Sequence, residues 1–312
     1  MTPLFLSSEQ IKAEARRLGF SACGLAPAEP LPADYADVLR RWLDEGCHAG
    51  MAYMENHLTL RLDPRRLVEG ARTVVSVALN YFTGQELSPR GYAFARYAHG
   101  RDYHEVMRRK LRELLFAIGL EEHRHGRVFC DTAPVAERYW AVRCGLGWTG
   151  HNGQLIIPGA GSYFFLGELI LTQPADCYDL PQRARCGICR RCVEACPAQA
   201  LSGGGKVDAR RCLSCLTIEH RGALPAGTGA LMGRCVYGCD RCAEVCPWNR
   251  FASPTSVTDF FLSDALRQMT AEDWQVLDVE QYRRLFKGSA VKRVKFEGLV
   301  RNISALSGKK NG

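Results

Sequence analysis

Two cysteine runs constrain this chain more than any other feature. The first is Cys186-x2-Cys189-x2-Cys192-x3-Cys196-Pro197, and the second is Cys235-x3-Cys239-x2-Cys242-x3-Cys246-Pro247. The first has every spacing of the bacterial ferredoxin motif, in which three thiolates cap irons of one 4Fe–4S cube and the fourth, beside proline, reaches another cube. Crossing the runs in this way gives one cluster Cys186, Cys189, Cys192 and Cys246. The other cluster takes Cys196, Cys239, Cys242 and one more thiolate. The x3 gap makes Cys235 a poor candidate for that position, and Cys212 and Cys215 compete for it. Paired cysteines also build structural zinc sites, but two full runs that end in x3-Cys-Pro favour iron–sulfur. Clusters of this kind store and relay electrons and do no organic chemistry by themselves. Their electrons must pass to a second redox centre or a substrate.

Most of the remaining chain precedes the runs. Helices are expected over Ser8–Leu18 and Asp34–Glu45, each closed by a glycine, and over Tyr103–Ile118, whose apolar residues recur with a helical period. Arg72–Phe82 and Ser162–Thr172 read as strands buried on both faces, Arg127–Cys130 as a short strand, and Val135–Cys144 as a helix. The alternation predicts an α/β or α+β layer domain over residues 1–175. A cysteine- and glycine-rich ferredoxin-like domain follows at 176–255, then a helical tail at 256–312 that packs on the core. No GxGxxG follows the first strand, so a dinucleotide site is not indicated. The N-terminus MTPLFLSSEQ lacks the basic and apolar regions of a secretory signal, and no apolar run is long enough to span a bilayer. A cytoplasmic protein without membrane contact is expected, monomeric because no coiled-coil seam is evident. In that compartment thiols stay reduced, which suits metal ligation rather than disulfides.

Asp131 is the candidate acid. It follows the strand Arg127–Cys130, at the kind of strand end where ligands gather in open α/β sheets, and it also reads as an N-cap for the helix beginning near Pro134. Glu137 in the first turn fits either reading. Gly145-Leu146-Gly147-Trp148-Thr149-Gly150 is a loop whose glycines let backbone approach a large flat ligand or serve as a helix stop and turn. His99, His104 and His151 lie near these segments, yet none is marked as catalytic by spacing. The net charge is +8. Two clusters, each worth roughly −2 with its thiolates, lower it to about +4. The remaining basic surface permits a phosphate-bearing partner.

Seven stretches together resemble one family, the epoxyqueuosine reductases. They are RYAHGRDYH (Arg96–His104), DTAPVAERYWAVRCGLGWTGHN (Asp131–Asn152), SYFFLGEL (Ser162–Leu169), CGICRRCVEACPAQAL (Cys186–Leu201), DARRCLSCLTIEHRG (Asp208–Gly222), YGCDRCAEVCPWNRF (Tyr237–Phe251) and FKGSAVKRVKFEGLVRNISAL (Phe286–Leu306). The resemblance implies an N-terminal cobalamin-binding domain similar to that of reductive dehalogenases, joined to the two-cluster ferredoxin-like domain. It implies reduction of the epoxide of epoxyqueuosine, at the tRNA anticodon wobble position, to queuosine. Reduced cobalamin is then the nucleophile, Asp131 the proton donor, and an external low-potential donor the source of electrons. Asp131 is expected in an apolar or corrin-covered setting that raises its pKa. By motif position Cys196, Cys212, Cys239 and Cys242 hold the second cluster, and Cys215 and Cys235 are extras. Cys239 and Asp240 lie where that cluster approaches cobalamin, and Arg96, Tyr97, Leu155 and Leu166 are expected along the corrin through backbone or packing contacts. Ending at Gly312, the chain resembles a short form without the C-terminal helical repeats that help longer members hold tRNA, so more of the grip falls to its basic surface.

Two other readings compete. One is a dehalogenase-like corrinoid and iron–sulfur reductase of a small molecule, which needs a closed pocket. The other is a plain electron-transfer ferredoxin, which binds no cobalamin and tolerates Asp131→Asn.

Overall fold

A computed structural model describes residues 5–308. Its centre is one sheet of four strands, β1 (Ala22–Pro27), β2 (Thr73–Asn80), β3 (Gly126–Phe129) and β4 (Phe164–Leu171), in the order β1-β2-β4-β3. Every pairing is antiparallel, and β2 lies against β4 from Thr73–Leu171 to Asn80–Phe164. The strand-end rule applied to Asp131 belongs to parallel sheets, so the position of that residue needs another explanation. β1 went unrecognised in the sequence because ACGLAP is small, short and proline-ended, with no alternating pattern.

The sheet is covered on both sides, which is why β2 reads as a continuous apolar run. Side chains alternate along a strand. Val75, Val77 and Leu79 meet Ile11 of α1 (Ser8–Arg17) and Met107 and Leu111 of α3 (Tyr103–Ala117); α2 is Ala33–Asp44. Val74 and Ala78 face the other way, onto Trp140 and Ala141 of α4 (Glu137–Arg143). Trp140 is almost wholly buried, and truncating it to alanine is worth about 3–5 kcal/mol. The end of α4 sits so close to β1 that a Cβ at Gly24 would fall 1.9 Å from the Cys144 carbonyl oxygen. Only glycine permits that approach.

A third core joins distant parts of the chain. Phe94 and Ala98 pack with Val236 and Tyr237 and with tail residues including Trp274, Phe286 and Leu299. A short parallel pairing of Ala93–Phe94 with Cys235–Tyr237 fixes this junction. The tail forms short helices at Asp264–Gln268, Ala271–Gln275 and Val279–Leu285 before α5 (Lys295–Ser307). Asn302 of α5 is fully buried and donates to the carbonyls of Thr217 and Val236, both at 2.8 Å, pinning the tail to the cysteine-rich segment. Among the described residues no helix is long and apolar enough to cross a membrane.

Candidate functional site

The C-terminal ends of β2 and β3 and the N-terminal end of β4 lie at one end of the sheet, because Asn80 pairs with Phe164 and Phe129 with Glu168. The chain leaves β3 there and turns sharply at Asp131, whose φ of 58° is left-handed. Non-glycine residues adopt that conformation at a cost and mainly where the surroundings impose it. Asp131 caps no helix: α4 starts at Glu137, and its cap residue Ala136 makes no side-chain bond. Asp131 instead meets the first turn of α3. Tyr103 donates its hydroxyl to Asp131 Oδ2 at 2.7 Å, and His104 Nε2 lies 3.1 Å from the same oxygen. The other imidazole nitrogen of His104 lies 2.6 Å from Asp102 Oδ1, and Asp102 is also the N-cap of α3. One aspartate thus starts the helix and aims the histidine. Tyr103 is held flat between the His104 ring and Phe165, at centroid distances of 4.0 and 4.3 Å.

These contacts reverse the expected electrostatics. Burial pushes the Asp131 carboxyl up, but hydrogen bonds from His104 and Tyr103 outweigh it and hold the pKa below the ordinary value. Burial pulls His104 down, yet its bonds to Asp102 and Asp131 raise it to about 9. At neutral pH the proton therefore sits on the imidazole, paired with an ionised Asp131 whose side chain is 57% exposed. The protonated carboxyl lies one layer behind. Glu137 accepts the Asp131 backbone N–H, and burial followed by the Asp131 charge pushes Glu137 up to about 8. Behind it, Glu168 is fully buried opposite Ser76, which donates to Oε1 at 3.1 Å, while Oε2 has no partner among the described residues. Burial, then the Glu137 charge, raises Glu168 well above the carboxylate range.

Two further residues that no motif singled out lie within electrostatic reach of Asp131, namely Tyr53 and Arg61. Arg61 donates to the carbonyls of Val135 and Tyr53, and its buried Nε finds no partner among the described residues. The guanidinium of Arg293 stands 5.9 Å over the Tyr53 ring and forks onto Glu219 at 3.0 and 2.7 Å.

The cysteines fall into two groups. Cys186, Cys189, Cys192 and Cys246 line one cavity of about 110 Å³ together with His151, Asn152, Ile156, Arg185, Pro247 and Trp248. Burial raises Cys192 and Cys246, and each also feels the other thiols of this set. In the second group Cys212 feels Cys196, Cys239 feels Cys212 and Cys196, and Cys242 feels Cys239 and Cys212, again after burial. Cys196 Sγ accepts the Ala200 N–H at 3.2 Å, as a ligand thiolate does. Cys235 instead donates to the carbonyls of Tyr237 and Gly238, both at 3.3 Å, which suits a protonated spare. Cys215 neighbours Cys212. Both four-thiol sets thus fit a cluster built from crossed runs.

The glycine-rich loop supports the first set rather than a flat ligand. A Cβ at Gly147 would lie 2.0 Å from the Ile156 carbonyl, and Cβ atoms at Gly145 and Gly150 would also strike protein. The glycines allow a tight hairpin, Trp148–Thr149 against Leu155–Ile156. From it Trp148 Nε1–H points at Cys186 Sγ at 3.4 Å, and His151 Nε2 meets the Gly187 carbonyl at 3.1 Å.

Most of the expected corrin residues lie together. Arg96 donates its backbone N–H to Asp240 at 2.7 Å, and burial raises Asp240 to about 6. Tyr97 bonds the Tyr237 hydroxyl at 3.1 Å and stands edge-on to Tyr103, so Arg96, Tyr97, Cys239 and Asp240 connect to the Asp131 site. Leu166 is half-buried on the Glu168 face of β4. Leu155 is 4% exposed and enclosed in the second core by the hairpin, which leaves its backbone for any ligand contact. An open cleft of about 930 Å³ reaches Arg96 and is walled by Phe82 and Tyr163 on one side and Arg191 and Arg250 on the other.

Comparison with known proteins matches this arrangement. The family model described as epoxyqueuosine reductase QueG, DUF1730, matches residues 61–132, and a 4Fe-4S double cluster binding domain matches residues 185–249. An epoxyqueuosine reductase of Leadbetterella byssophila is 44% identical over 95% of this chain and 97% of its own length. A crystal structure of epoxyqueuosine reductase with a tRNA-Tyr epoxyqueuosine-modified stem loop superposes with a TM-score of 0.88 at 26% identity, covering 96% of this chain and 80% of that one. A Bacillus subtilis epoxyqueuosine reductase with its catalytic aspartate loop swung out of the active site gives 0.86 at 26% identity, over 96% and 81%. With both halves matched, and with relatives aligned almost end to end, this chain belongs to the epoxyqueuosine reductase family.

Proposed function

We propose that this protein reduces the epoxide of epoxyqueuosine in the tRNA anticodon to the alkene of queuosine, using cobalamin and two 4Fe–4S clusters. The observation that carries the reading is the proton-loaded Asp131–His104 pair at the sheet end, linked through Tyr97 and Arg96 to Asp240 and Cys239. The residues there fit a large, flat, acceptor-bearing group. The buried Arg61 Nε lacks an acceptor among the described residues, Tyr97 is only partly buried, and Asp131 is open on one side. Arg96, Tyr97, Leu166, Asp240 and Arg61 are the residues that would hold cobalamin. When bound, cobalamin supplies a strong soft nucleophile for an epoxide carbon.

The chain's own residues handle charge and protons. Opening the epoxide places negative charge on its oxygen, and a positioned acid lowers that barrier. His104 carries the proton at the Nε2 that meets Asp131 Oδ2, and Asp131 relays it from there to the opening oxygen. Glu137, raised to about 8 by burial and the Asp131 charge, accepts the Asp131 backbone N–H and holds the turn that presents Asp131. The net conversion takes two electrons and two protons and releases one water, so single-electron delivery from clusters suits it. Cys186, Cys189, Cys192 and Cys246 hold one cluster, and Cys196, Cys212, Cys239 and Cys242 the other. The reading includes a cytoplasmic monomer fed by an external low-potential donor, with tRNA as the macromolecular substrate.

Asp131→Asn tests the acid. It keeps the volume and the Tyr103 contact but cannot pair with an imidazolium. Turnover is expected to fall by about 100-fold or more while cluster content, read by iron and sulfide analysis, stays at two cubes per chain. Undiminished turnover of the asparagine variant contradicts the assignment.

A further inference from the structure

The first thiol set reaches solvent at the loop that carries Cys186 and Cys189, both half-buried, with Gly187 and Ile188 exposed between them. Asp131 connects through Tyr103, Tyr97 and Arg96 to Asp240, the neighbour of Cys239 in the second set. Around the first set the chain is unusual. From Leu180 to Cys192 it carries arginines at 183, 185, 190 and 191 and neither aspartate nor glutamate. All four are exposed, and none forms an ion pair among the described residues. Arg185 stands 6.0 Å over the Trp148 ring, and four like charges on so short a loop repel one another. At the tip, between Cys186 and Cys189, Ile188 is 101% exposed. Lone exposed apolar residues are ordinary, but this one is bonded next to one cluster thiol and two residues from the other. Its Cα lies within about 8 Å of both, from chain geometry alone. Arg250 extends the basic rim on the far side of Cys246.

We propose that the Cys186–Cys192 loop is the docking surface for an acidic, low-potential one-electron carrier protein, with Ile188 as the apolar centre and Arg183, Arg185, Arg190 and Arg191 as the charged rim. The proposal rests on the first thiol set holding a 4Fe–4S cluster. A small apolar centre within a cationic rim suits a transient redox encounter, where complementary charge sets the association rate more than the area does. The transfer balances simply: the reduced carrier loses one electron, the oxidised cluster gains one, and no bond or proton changes hands. Two such deliveries supply the two electrons of the epoxide reduction.

The test uses iron-reconstituted full-length protein, a reduced acidic flavodoxin as probe, and the double variant Arg183→Glu/Arg190→Glu beside Arg183→Lys/Arg190→Lys. Neither position lines the cluster cavity. Binding is read by calorimetry, and cluster reduction is followed by stopped-flow absorbance with flavodoxin or with dithionite as reductant. The expected result is at least about 10-fold weaker flavodoxin binding and slower flavodoxin-driven reduction in the glutamate variant. The lysine variant should match the wild type, and dithionite-driven reduction should be equal in all three. Equal flavodoxin binding by the glutamate variant and wild type overturns the proposal. So does loss of affinity for an anticodon stem-loop in its place, which would give the surface to RNA. A wild type whose dithionite-reduced form shows no cluster electron-spin signal overturns the cluster reading first, and the proposal with it.

Discussion

Asp131 shows what a motif reveals of a site and what it leaves out. Its position was legible from DTAPVAER, but its charge state was not, because His104 lies 27 residues away in sequence and meets it only through the start of α3. Glu168 was hidden in a different way: in YFFLGELIL it reads as the charge that spoils an apolar run, and only the sheet register reveals a buried carboxyl opposite Ser76. Two predictions belong at this scale. His104 is raised to about 9, so the loaded proton is present below that value and lost above it. Turnover should therefore decline as pH rises through about 9, and His104→Gln should lower the rate and abolish that alkaline limb. A limb unchanged in the variant assigns the proton elsewhere. Glu168 has a folded pKa raised above its unfolded value of 4.5, so the native state binds the extra proton and stability falls as pH rises beyond 4.5. The penalty grows by about 1.4 kcal/mol per pH unit until the group ionises. Glu168→Gln keeps an acceptor for Ser76 and removes the penalty, so its melting temperature should exceed wild type at pH 8 and approach it at pH 5. The opposite order contradicts a neutral buried carboxyl.

At the scale of elements, periodicity located α1, α2, α3, β2 and β4 to within a few residues, because each buries one stripe or both faces against a neighbour. It missed β1, which owes its place to α4 lying over Gly24 rather than to any pattern of its own. The GLGWTG loop was noticed for its glycines, and of its two readings the helix stop and turn fits the contacts better than a flat ligand. Their lack of side chains serves contact between backbones, and the product is a hairpin that aims Trp148 at Cys186. A donor to a cluster sulfur stabilises the more negative, reduced form. Trp148→Phe keeps most of the packing and deletes the N–H, so the potential of one cluster should move to more negative values. The other cluster should stay in place under the same redox titration. A shift of both, or of neither, removes the tryptophan from the role.

Across the whole molecule, the cysteine spacing announced a match to a 4Fe-4S double cluster binding domain and the seven matching stretches announced the family, since such motifs are written locally. The joining of parts was not legible. The third core combines residues near 94, near 236 and beyond 260, and Asn302 seals the tail to the cysteine-rich segment through buried hydrogen bonds. Such contacts depend on shape at long sequence separation and leave no periodic trace. The central claim is that one chain couples clusters and a proton-loaded site to a tRNA-borne epoxide. Its most direct test is anaerobic turnover of epoxyqueuosine-containing tRNA by the iron-reconstituted protein and a low-potential reductant, with and without cobalamin. Nucleosides from the digested tRNA are read by mass spectrometry. The account predicts queuosine, lighter by one oxygen, formed only when cobalamin is present. Intact clusters and bound cobalamin without loss of that oxygen would contradict it.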